Sequence, residues 1–321
     1  MSRSLSRSSR MLGGLWGAVA GDALGVPVEF SSRAERDRDP VTGVRGFGTY
    51  NQPPGTWSDD SSLLLCTVLS LTEQRLDLTD LGQRFVRYLT QAYLTPHGRV
   101  FDVGTATMQA IERLRSGVAP EQAGGTSVRD NGNGSLMRIL PVALRFASES
   151  PEQLVAIAHR VSRLTHGHPR SQLGCGYLCL LVAQLLSGLP PRLAYEQTNQ
   201  LVRSLYRDAP WRDELPVFAR LLSGQIETLP RESVSGSGYV ISTLEASVYL
   251  LLRSSSYEQA VLAAINLGED TDTTACVTGG LAGVWFGEAA IPSDWLTGLA
   301  RRSELDAWFS AFVSVVEQSD S

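Results

Sequence analysis

Apolar residues recur at intervals of three and four positions along most of the chain, as they do in helices that bury one face. This spacing predicts helices over residues 62–76, 81–94, 104–117, 151–167, 174–188, 193–206, 241–255 and 256–268. The alternation of apolar and polar residues that is typical of strands is hard to find. No long linker rich in proline, glycine or serine interrupts residues 11–321, and no repeat of solenoid length is visible. The pattern therefore predicts one all-α domain, a compact helical bundle that spans residues 11–321.

A further helix is predicted near the start of the chain, and it has glycine at every fourth position, at Gly13, Gly17, Gly21 and Gly25. Residues four apart lie on one face of a helix, so these glycines form a single stripe. Each glycine costs about 1 kcal/mol of helix propensity relative to alanine. The repeated cost is reasonable if a second backbone lies close against the stripe. Residues 279–283, which contain three glycines, are the expected partner.

The first ten residues, MSRSLSRSSR, contain three arginines and five serines, and they predict a disordered tail before the domain. The apolar stretch 11–28 is broken by Asp22 and is rich in glycine and alanine, so it is not a convincing membrane span. A formal net charge of -5 argues against nucleic acid or an anionic membrane as partner. The four cysteines lie in apolar or small-residue stretches, which favours buried thiols and a cytoplasmic protein.

Two acidic clusters stand at the starts of apolar helices. The first contains Ser58, Asp59 and Asp60, and the second contains Glu269, Asp270 and Asp272. Serine and aspartate cap helix N-termini, but one aspartate is enough for a cap. The four aspartates of the two clusters, Asp59, Asp60, Asp270 and Asp272, would repel one another unless they were protonated, separated or neutralised by cations. Carboxylate and hydroxyl oxygens suit Mg²⁺ or Mn²⁺, so the residues leave two interpretations open: simple caps, or a two-metal site.

Five separated motifs then occur in a fixed order: GLWGAVAGDALGVPVEF (14–30), SDD (58–60), NGNGSLMR (131–138), LTHGHP (164–169) and GEDTDTTA (268–275). Together they resemble the ADP-ribosylglycohydrolase family, which includes the dinitrogenase-reductase-activating glycohydrolases and the crystallin J1-type proteins. The resemblance implies a compact all-α fold with two Mg²⁺ or Mn²⁺ ions in a cleft. It also implies an ADP-ribosylated protein as substrate, often modified on arginine, and ADP-ribose as product.

The family's metal motifs match Ser58, Asp59 and Asp60 in the first cluster and Asp270, Asp272 and Thr273 in the second. The family's usual threonine is replaced by Ser58, which keeps the hydroxyl. We expect all six residues to contribute to the metal site.

Three carboxylates are candidates for catalysis by the same resemblance: Asp60, Asp102 and Glu29. Asp102 matches an aspartate with a catalytic role in the dinitrogenase-reductase-activating branch, but it could instead cap a helix that begins near Thr105. Glu29 matches a glutamate near the metals in some branches, but it could instead be a solvated loop residue.

The remaining motifs are expected to bind the rest of ADP-ribose. The glycine-rich run is predicted to precede a helix that begins near Ser135, whose free N–H groups would hold the diphosphate. The predicted substrate-binding residues are Gly132, Asn133, Gly134, Ser135, Met137, His166 and Tyr239. An Asn-Gly turn, a structural histidine and a core-packed tyrosine are the alternatives for these positions.

The leading hypothesis is a two-metal hydrolase that releases ADP-ribose from modified protein side chains, with arginine as the expected linkage. One alternative is a hydrolase for serine-linked or small-molecule ADP-ribose. A second is a relative that binds ADP-ribose, or is purely structural, without turnover. A third is a two-metal phosphoesterase, which would release AMP. Every version of the enzymatic hypothesis requires the two acidic clusters to meet in one pocket.

Overall fold

The computed structural model describes residues 5–319, which form 16 α-helices and no β-strand. The helices are α1 Arg7–Gly25, α2 Arg33–Arg38, α3 Asp59–Glu73, α4 Leu78–Gln91, α5 Thr105–Arg115, α6 Pro120–Ala123, α7 Leu140–Arg145, α8 Pro151–Ser162, α9 Pro169–Leu186, α10 Pro191–Leu205, α11 Ala219–Leu222, α12 Val240–Arg253, α13 Tyr257–Ile265, α14 Thr271–Phe286, α15 Ser293–Thr297 and α16 Arg302–Ser319.

Short 3₁₀ segments connect many of these helices. Their bounds are Val26–Val28, Gly48–Tyr50, Val128–Asp130, Arg212–Phe218, Ile226–Thr228, Arg231–Ser233 and Glu288–Ala290. The eight helices predicted from apolar spacing are all present, as α3, α4, α5, α8, α9, α10, α12 and α13. The predicted all-α class is therefore confirmed.

The first helix begins earlier than the predicted domain boundary at residue 11. Ser6 caps α1 by accepting a hydrogen bond from the Ser9 backbone N–H at 3.1 Å. Arg10 is buried, and its guanidinium donates to the carbonyls of Val284 and Trp285 at the end of α14. Residues 7–10 are thus helical rather than part of a disordered tail, because Arg10 satisfies free carbonyls of α14. Residues 1–4 of that tail lie outside the described residues.

The glycine stripe of α1 lies against α14, as predicted. A Cβ atom on Gly17 would stand 2.3 Å from the Gly279 carbonyl oxygen, and one on Gly21 would stand 2.1 Å from the Ala275 carbonyl oxygen. At the end of the stripe, a Cβ on Gly25 would stand 2.4 Å from the Asp272 Cα. The two backbones are therefore in direct contact, and the stripe ends beside the second acidic cluster.

Helix α1 is the centre of the core. The segment 7–28 is long and apolar enough to cross a membrane by length and composition, but 94% of its most apolar window is buried inside the protein. The C-terminal helix α16 covers it: the Phe309 ring packs edge-on against Trp16 at 4.8 Å, and the Arg302 guanidinium lies over the Trp16 ring. The four cysteines are free and buried, as predicted.

Candidate metal and substrate site

Helices α3 and α14 both begin at the site. Ser58 is the N-cap of α3 and accepts a hydrogen bond from the Asp60 N–H at 3.2 Å, and Asp59 and Asp60 occupy the first turn. Asp270 is the N-cap of α14, and its carboxylate accepts from the Thr273 N–H at 3.3 Å. The positive ends of two helix dipoles therefore face the acidic residues and stabilise their negative charge.

A third helix contributes Asp22, which the sequence analysis did not assign to the site. Asp22 is fully buried in α1, and its carboxylate accepts hydrogen bonds from the backbone N–H groups of Ser58 at 3.0 Å and Ser61 at 2.9 Å. Burial raises the pKa of Asp22 to about 6, and these hydrogen bonds act in the opposite direction. Asp22 thus ties α1 to the N-terminus of α3.

The carboxylates form two groups that share one residue. Oxygen atoms of Asp22, Asp60 and Asp272 lie within 4.8 Å of one another, and so do oxygen atoms of Glu29, Asp270 and Asp272. Oxygens bound to one divalent cation at about 2.0–2.6 Å are separated by no more than roughly 4–5 Å. Each group therefore has the spacing of a cation site, and Asp272 belongs to both.

The burial and mutual repulsion of these carboxylates also indicate that cations or protons compensate their charge. Burial is the main cause that raises the pKa of Asp59, Asp60 and Asp272 well above the usual range, and their negative neighbours add to it. Within residues 5–319, no hydrogen-bond partner reaches the buried oxygens Asp60 Oδ2, Asp272 Oδ2 and Glu29 Oε2. Buried carboxylate oxygens without partners are costly unless protons or cations compensate them. Oxygen-only ligands fit a hard cation such as Mg²⁺ or Mn²⁺.

Glu29 reaches the site on a loop that is hydrogen-bonded to the residues immediately before α14. The Phe30 N–H donates to the Glu269 carbonyl at 2.7 Å, and the Glu269 N–H donates to the Ser31 carbonyl at 2.7 Å. Glu29 is buried on this loop, so the alternative of a solvated loop residue does not hold. Burial raises the pKa of Glu29 to about 10, with further contributions from the charges of Asp102 and Asp270.

A cavity of about 330 Å³ opens beside the carboxylates. Most of the residues predicted for the site line it, together with several that were not predicted. The lining residues are Glu29, Phe30, Asp59, Asp60, Asp102, Gly104, Thr105, Ala106, Thr107, Arg129, Gly132, Asn133, Gly134, Met137, His166, Gly238, Asp270 and Thr273. The two acidic clusters therefore meet in one pocket with the glycine-rich motif and the histidine motif.

Asp102 does not cap α5, because Gly104 occupies the N-cap position. Its backbone adopts the left-handed conformation, with φ of 56°, and its Oδ1 accepts a hydrogen bond from the Tyr50 hydroxyl at 2.6 Å. Burial, followed by the hydrogen bond to Asp102, raises the pKa of Tyr50 above its ordinary value. The phenol is therefore protonated and acts as the donor in this pair.

The glycine-rich motif forms a loop rather than a helix N-terminus, so the helix predicted from Ser135 is wrong. Residues 134–138 form turns and α7 begins only at Leu140, with Pro141 in its first turn, where proline is favoured because it lacks an N–H. Ser135 is buried and its hydroxyl accepts from Ser162 at 3.1 Å, so its side chain faces the core.

Asn133 joins this loop to the acidic cluster. Its side-chain amide donates to Asp270 Oδ2 at 2.9 Å and to the Thr243 hydroxyl at 2.8 Å. Gly134 has no room for a side chain, because a Cβ would stand 2.7 Å from Thr107 Oγ1 and 2.9 Å from His166 Cε1. The loop backbone is therefore held close to the cavity wall.

His166 lines the cavity as a neutral imidazole. Burial lowers the pKa of His166 to about 3, and the positive charge of Arg138 adds to the effect. Its Nδ1 lies 2.9 Å from the Thr165 hydroxyl, which also accepts a hydrogen bond from Arg138 at 2.7 Å. The outer ring nitrogen, Nε2, faces Gly132 of the loop.

Tyr239 is placed at the edge of the site rather than in the cavity wall. Its backbone pairs with Gly132 in an isolated antiparallel bridge, and its hydroxyl accepts from Arg170 at 3.0 Å. Arg170 in turn donates to Glu214 at 2.7 Å. Tyr239 thus supports the loop, and its ring is not among the lining residues.

The sequence analysis missed several residues of the site, among them Asp22, Tyr50 and Arg129. Asp22 had a detectable signal, because it is the single charged residue in the apolar stretch 11–28. Tyr50 and Arg129 lie in the short 3₁₀ segments Gly48–Tyr50 and Val128–Asp130, respectively. These segments show no periodic sequence pattern that would identify them.

Comparisons with known proteins agree with this geometry. A family model described as ADP-ribosylglycohydrolase matches residues 3–320. The chain is 31% identical over 296 residues to the ADP-ribosylarginine hydrolase Tri1 of Serratia proteamaculans (strain 568), which covers 91% of this chain and 76% of that protein. It is 30% identical over 301 residues to the ADP-ribosyl-(dinitrogen reductase) glycohydrolase of Rhodospirillum rubrum, covering 92% of both chains.

A solved structure shares the fold over nearly the entire length. It is described as an ADP-ribosylglycohydrolase-related protein complex, and it superposes with a TM-score of 0.82 at 30% sequence identity. The match covers 97% of this chain and 99% of that chain. The similarity therefore extends over the whole bundle and is not limited to the acidic motifs.

Proposed function

The chain belongs to the ADP-ribosylglycohydrolase family, and from this premise we propose that it hydrolyses the bond between ADP-ribose and a modified arginine side chain of a protein. We propose that two divalent cations, Mg²⁺ or Mn²⁺, are required. The arginine linkage is supported by two relatives that are named ADP-ribosylarginine hydrolases and are 31% and 32% identical to the chain. ADP-ribose is then the product.

One observation carries this proposal: two groups of three carboxylates share the buried Asp272, and Asp60 of one group and Glu29 and Asp270 of the other line a single cavity. Asp22, Asp60 and Asp272 would hold one cation, and Glu29, Asp270 and Asp272 the other. When bound, the cations supply positive charge that offsets the carboxylates and binds vicinal ribose hydroxyls. Asp59, Ser58 and Thr273 complete the proposed ligand set of the two acidic motifs.

The protein's own groups perform the hydrolysis. Cleavage of an N-glycosidic bond builds positive, oxocarbenium-like charge on the sugar, which negative side chains in the cavity stabilise. We propose Asp102 as the general base that takes a proton from the attacking water, since it lines the same cavity. The water oxygen bonds to the anomeric carbon, and the arginine nitrogen leaves with the bonding electron pair and gains a proton.

The glycine-rich loop and His166 are proposed to hold the diphosphate and the distal part of ADP-ribose. A loop with glycine at 132 and 134 lets a phosphate approach the backbone N–H groups closely. His166 would act as a neutral hydrogen-bonding group there, because burial prevents its protonation. Tyr239 contributes indirectly by fixing the loop. The buried free thiols fit the cytoplasmic location that we expect.

The proposal is tested with an arginine-ADP-ribosylated protein, incubated with the metal-loaded enzyme while free ADP-ribose is measured. Asp270→Ala is expected to lower the rate at least about 100-fold, because it removes a proposed ligand. Far-UV circular dichroism should remain that of a helical protein. Glu269→Ala is the matched control: it removes the adjacent, exposed carboxylate, and wild-type activity is expected.

Other outcomes would identify a different function. Release of ADP-ribose from serine-linked substrate alone would overturn the arginine linkage and leave the hydrolase. Release of AMP would indicate cleavage of the diphosphate. Binding of ADP-ribose in a calorimeter without release from any linkage, with either metal, would contradict the enzymatic proposal.

A further inference from the structure

Tyr50 makes a direct contact with the proposed general base. Its hydroxyl donates to Asp102 Oδ1 at 2.6 Å, within the range of short hydrogen bonds from a hydroxyl to a charged oxygen. The two residues are 52 positions apart in the chain. Asp102 itself lies outside any helix, with a left-handed φ of 56°, a conformation that aspartate adopts more readily than most residues other than glycine.

The Tyr50 ring is fixed on both sides by aromatic residues. Its centroid lies 5.0 Å from that of Phe101 and 6.4 Å from that of Phe30. Phe30 lines the cavity and is 68% exposed, and its own backbone is left-handed, with φ of 61°. The phenol is therefore held between the segment that carries Asp102 and the loop that carries Glu29.

The turn that carries Tyr50 is also fastened to the Glu29 loop. The Thr49 hydroxyl donates to the Glu29 carbonyl at 2.8 Å. Gly48 has φ of 55° and lies so close to the Pro27 carbonyl that a Cβ would stand 1.8 Å from its oxygen. These contacts fix the Tyr50 hydroxyl relative to Glu29 and to the proposed metal ligands. Its hydrogen bond therefore fixes the Asp102 carboxylate relative to the same groups.

We propose that Tyr50 is a positioning residue for the hydrolysis: its hydroxyl orients the Asp102 carboxylate toward the attacking water. The hydrogen bond occupies Oδ1, so we assign Oδ2 as the atom that accepts the proton. This inference rests on the proposed function, because it assigns Tyr50 a task in that reaction. An error of about 1 Å in the position of a reacting group can cost roughly 100-fold in rate, so one hydroxyl is sufficient to matter.

The test is Tyr50→Phe, which keeps the ring contacts and removes only the hydroxyl. We expect kcat for ADP-ribose release to fall about 10- to 100-fold while KM stays within about twofold, because substrate binding does not depend on the hydroxyl. The rise in melting temperature on addition of Mn²⁺ should equal that of the wild type, which shows that the metal groups and the fold are intact.

Tyr93→Phe is the matched control. The Tyr93 hydroxyl accepts a hydrogen bond from Arg84 at 3.3 Å, and its ring lies under the Arg87 guanidinium, so this tyrosine is also held on both sides, but its hydroxyl bonds Arg84 and not Asp102. Its kcat and KM are expected to match those of the wild type.

Two results would overturn the inference while the proposed function stands. A Tyr50→Phe variant with kcat within twofold of the wild type would show that the hydroxyl has no role. An increase in KM at unchanged kcat would make Tyr50 a binding residue instead. If the wild type releases no ADP-ribose from any substrate, the proposed function fails and the role of Tyr50 fails with it.

Discussion

At the scale of single residues, burial determines the protonation of His159, which does not line the cavity. Its Nε2 lies 2.9 Å from the Tyr206 hydroxyl, and its ring stacks on Trp211 at 4.9 Å. Burial, followed by the charge of Arg163, lowers the pKa of His159 from 6.5 to about 4. Below pH 6.5 the unfolded chain therefore binds a proton that the folded chain does not, so stability falls as the pH decreases toward 4.

We expect His159 to contribute up to about 3 kcal/mol to this loss, since one pKa unit corresponds to about 1.4 kcal/mol. The measurement is urea unfolding at pH 7 and pH 4.5 for wild type and His159→Gln, which keeps a polar group near Tyr206. The variant should lose less stability between the two pH values. Parallel decreases in the two proteins would show that His159 does not titrate as expected.

At the scale of elements, the crossing of α1 and α14 brings Asp22 and Asp272 together. Gly21→Ala would place a methyl group 2.1 Å from the Ala275 carbonyl oxygen, and backbone cannot give way as a side chain can. We expect the substitution to destabilise the fold by about 2–4 kcal/mol, despite the better helix propensity of alanine. The release of ADP-ribose should fall as well, because separated helices also separate the carboxylates.

Gly82→Ala in α4 provides the control for this crossing. The nearest atom to a Cβ at this position is Leu114 Cδ2 at 3.4 Å, an ordinary contact. Alanine here is expected to be neutral or to stabilise the protein by about 0.5–1 kcal/mol. Equal effects of the two substitutions on thermal unfolding would show that helix propensity, and not the close crossing, determines the cost.

At the scale of the whole molecule, the site joins α1, α3, α14 and the loops between helices, so occupation of the proposed cation sites should stabilise the entire bundle. A ligand at 100 times its Kd adds about 2.7 kcal/mol per site to the free energy of unfolding. We expect Mn²⁺ or Mg²⁺ to raise the melting temperature of metal-stripped protein by roughly 5 °C, in a concentration-dependent way.

Asp272→Asn should abolish this thermal shift, because Asp272 belongs to both carboxylate groups. Glu258→Gln, at an exposed carboxylate in the first turn of α13, should retain it. An equal shift in the two variants would mean that the ions bind elsewhere.

The sequence by itself determined the helical class, most of the long helices, the close crossing of α1 with α14 and the presence of two acidic motifs. These features depend on the periodic placement of apolar and small residues, which is a local property of the chain. The glycines at 17 and 279 are an example: their spacing is visible in the sequence because close backbone contact requires residues without side chains.

Only the tertiary structure decided which side chains share the site. Asp22 joins Asp60 and Asp272 because three helices converge, and Tyr50 meets Asp102 because its turn is fastened to the Glu29 loop and its ring packs against Phe101. The expected helix at Ser135 failed for the same reason: the Asn133 side chain is bound to Asp270 and Thr243, and these contacts between distant segments hold the motif as a loop. The local sequence pattern does not reveal such contacts, since their energy arises from residues that are distant in the chain.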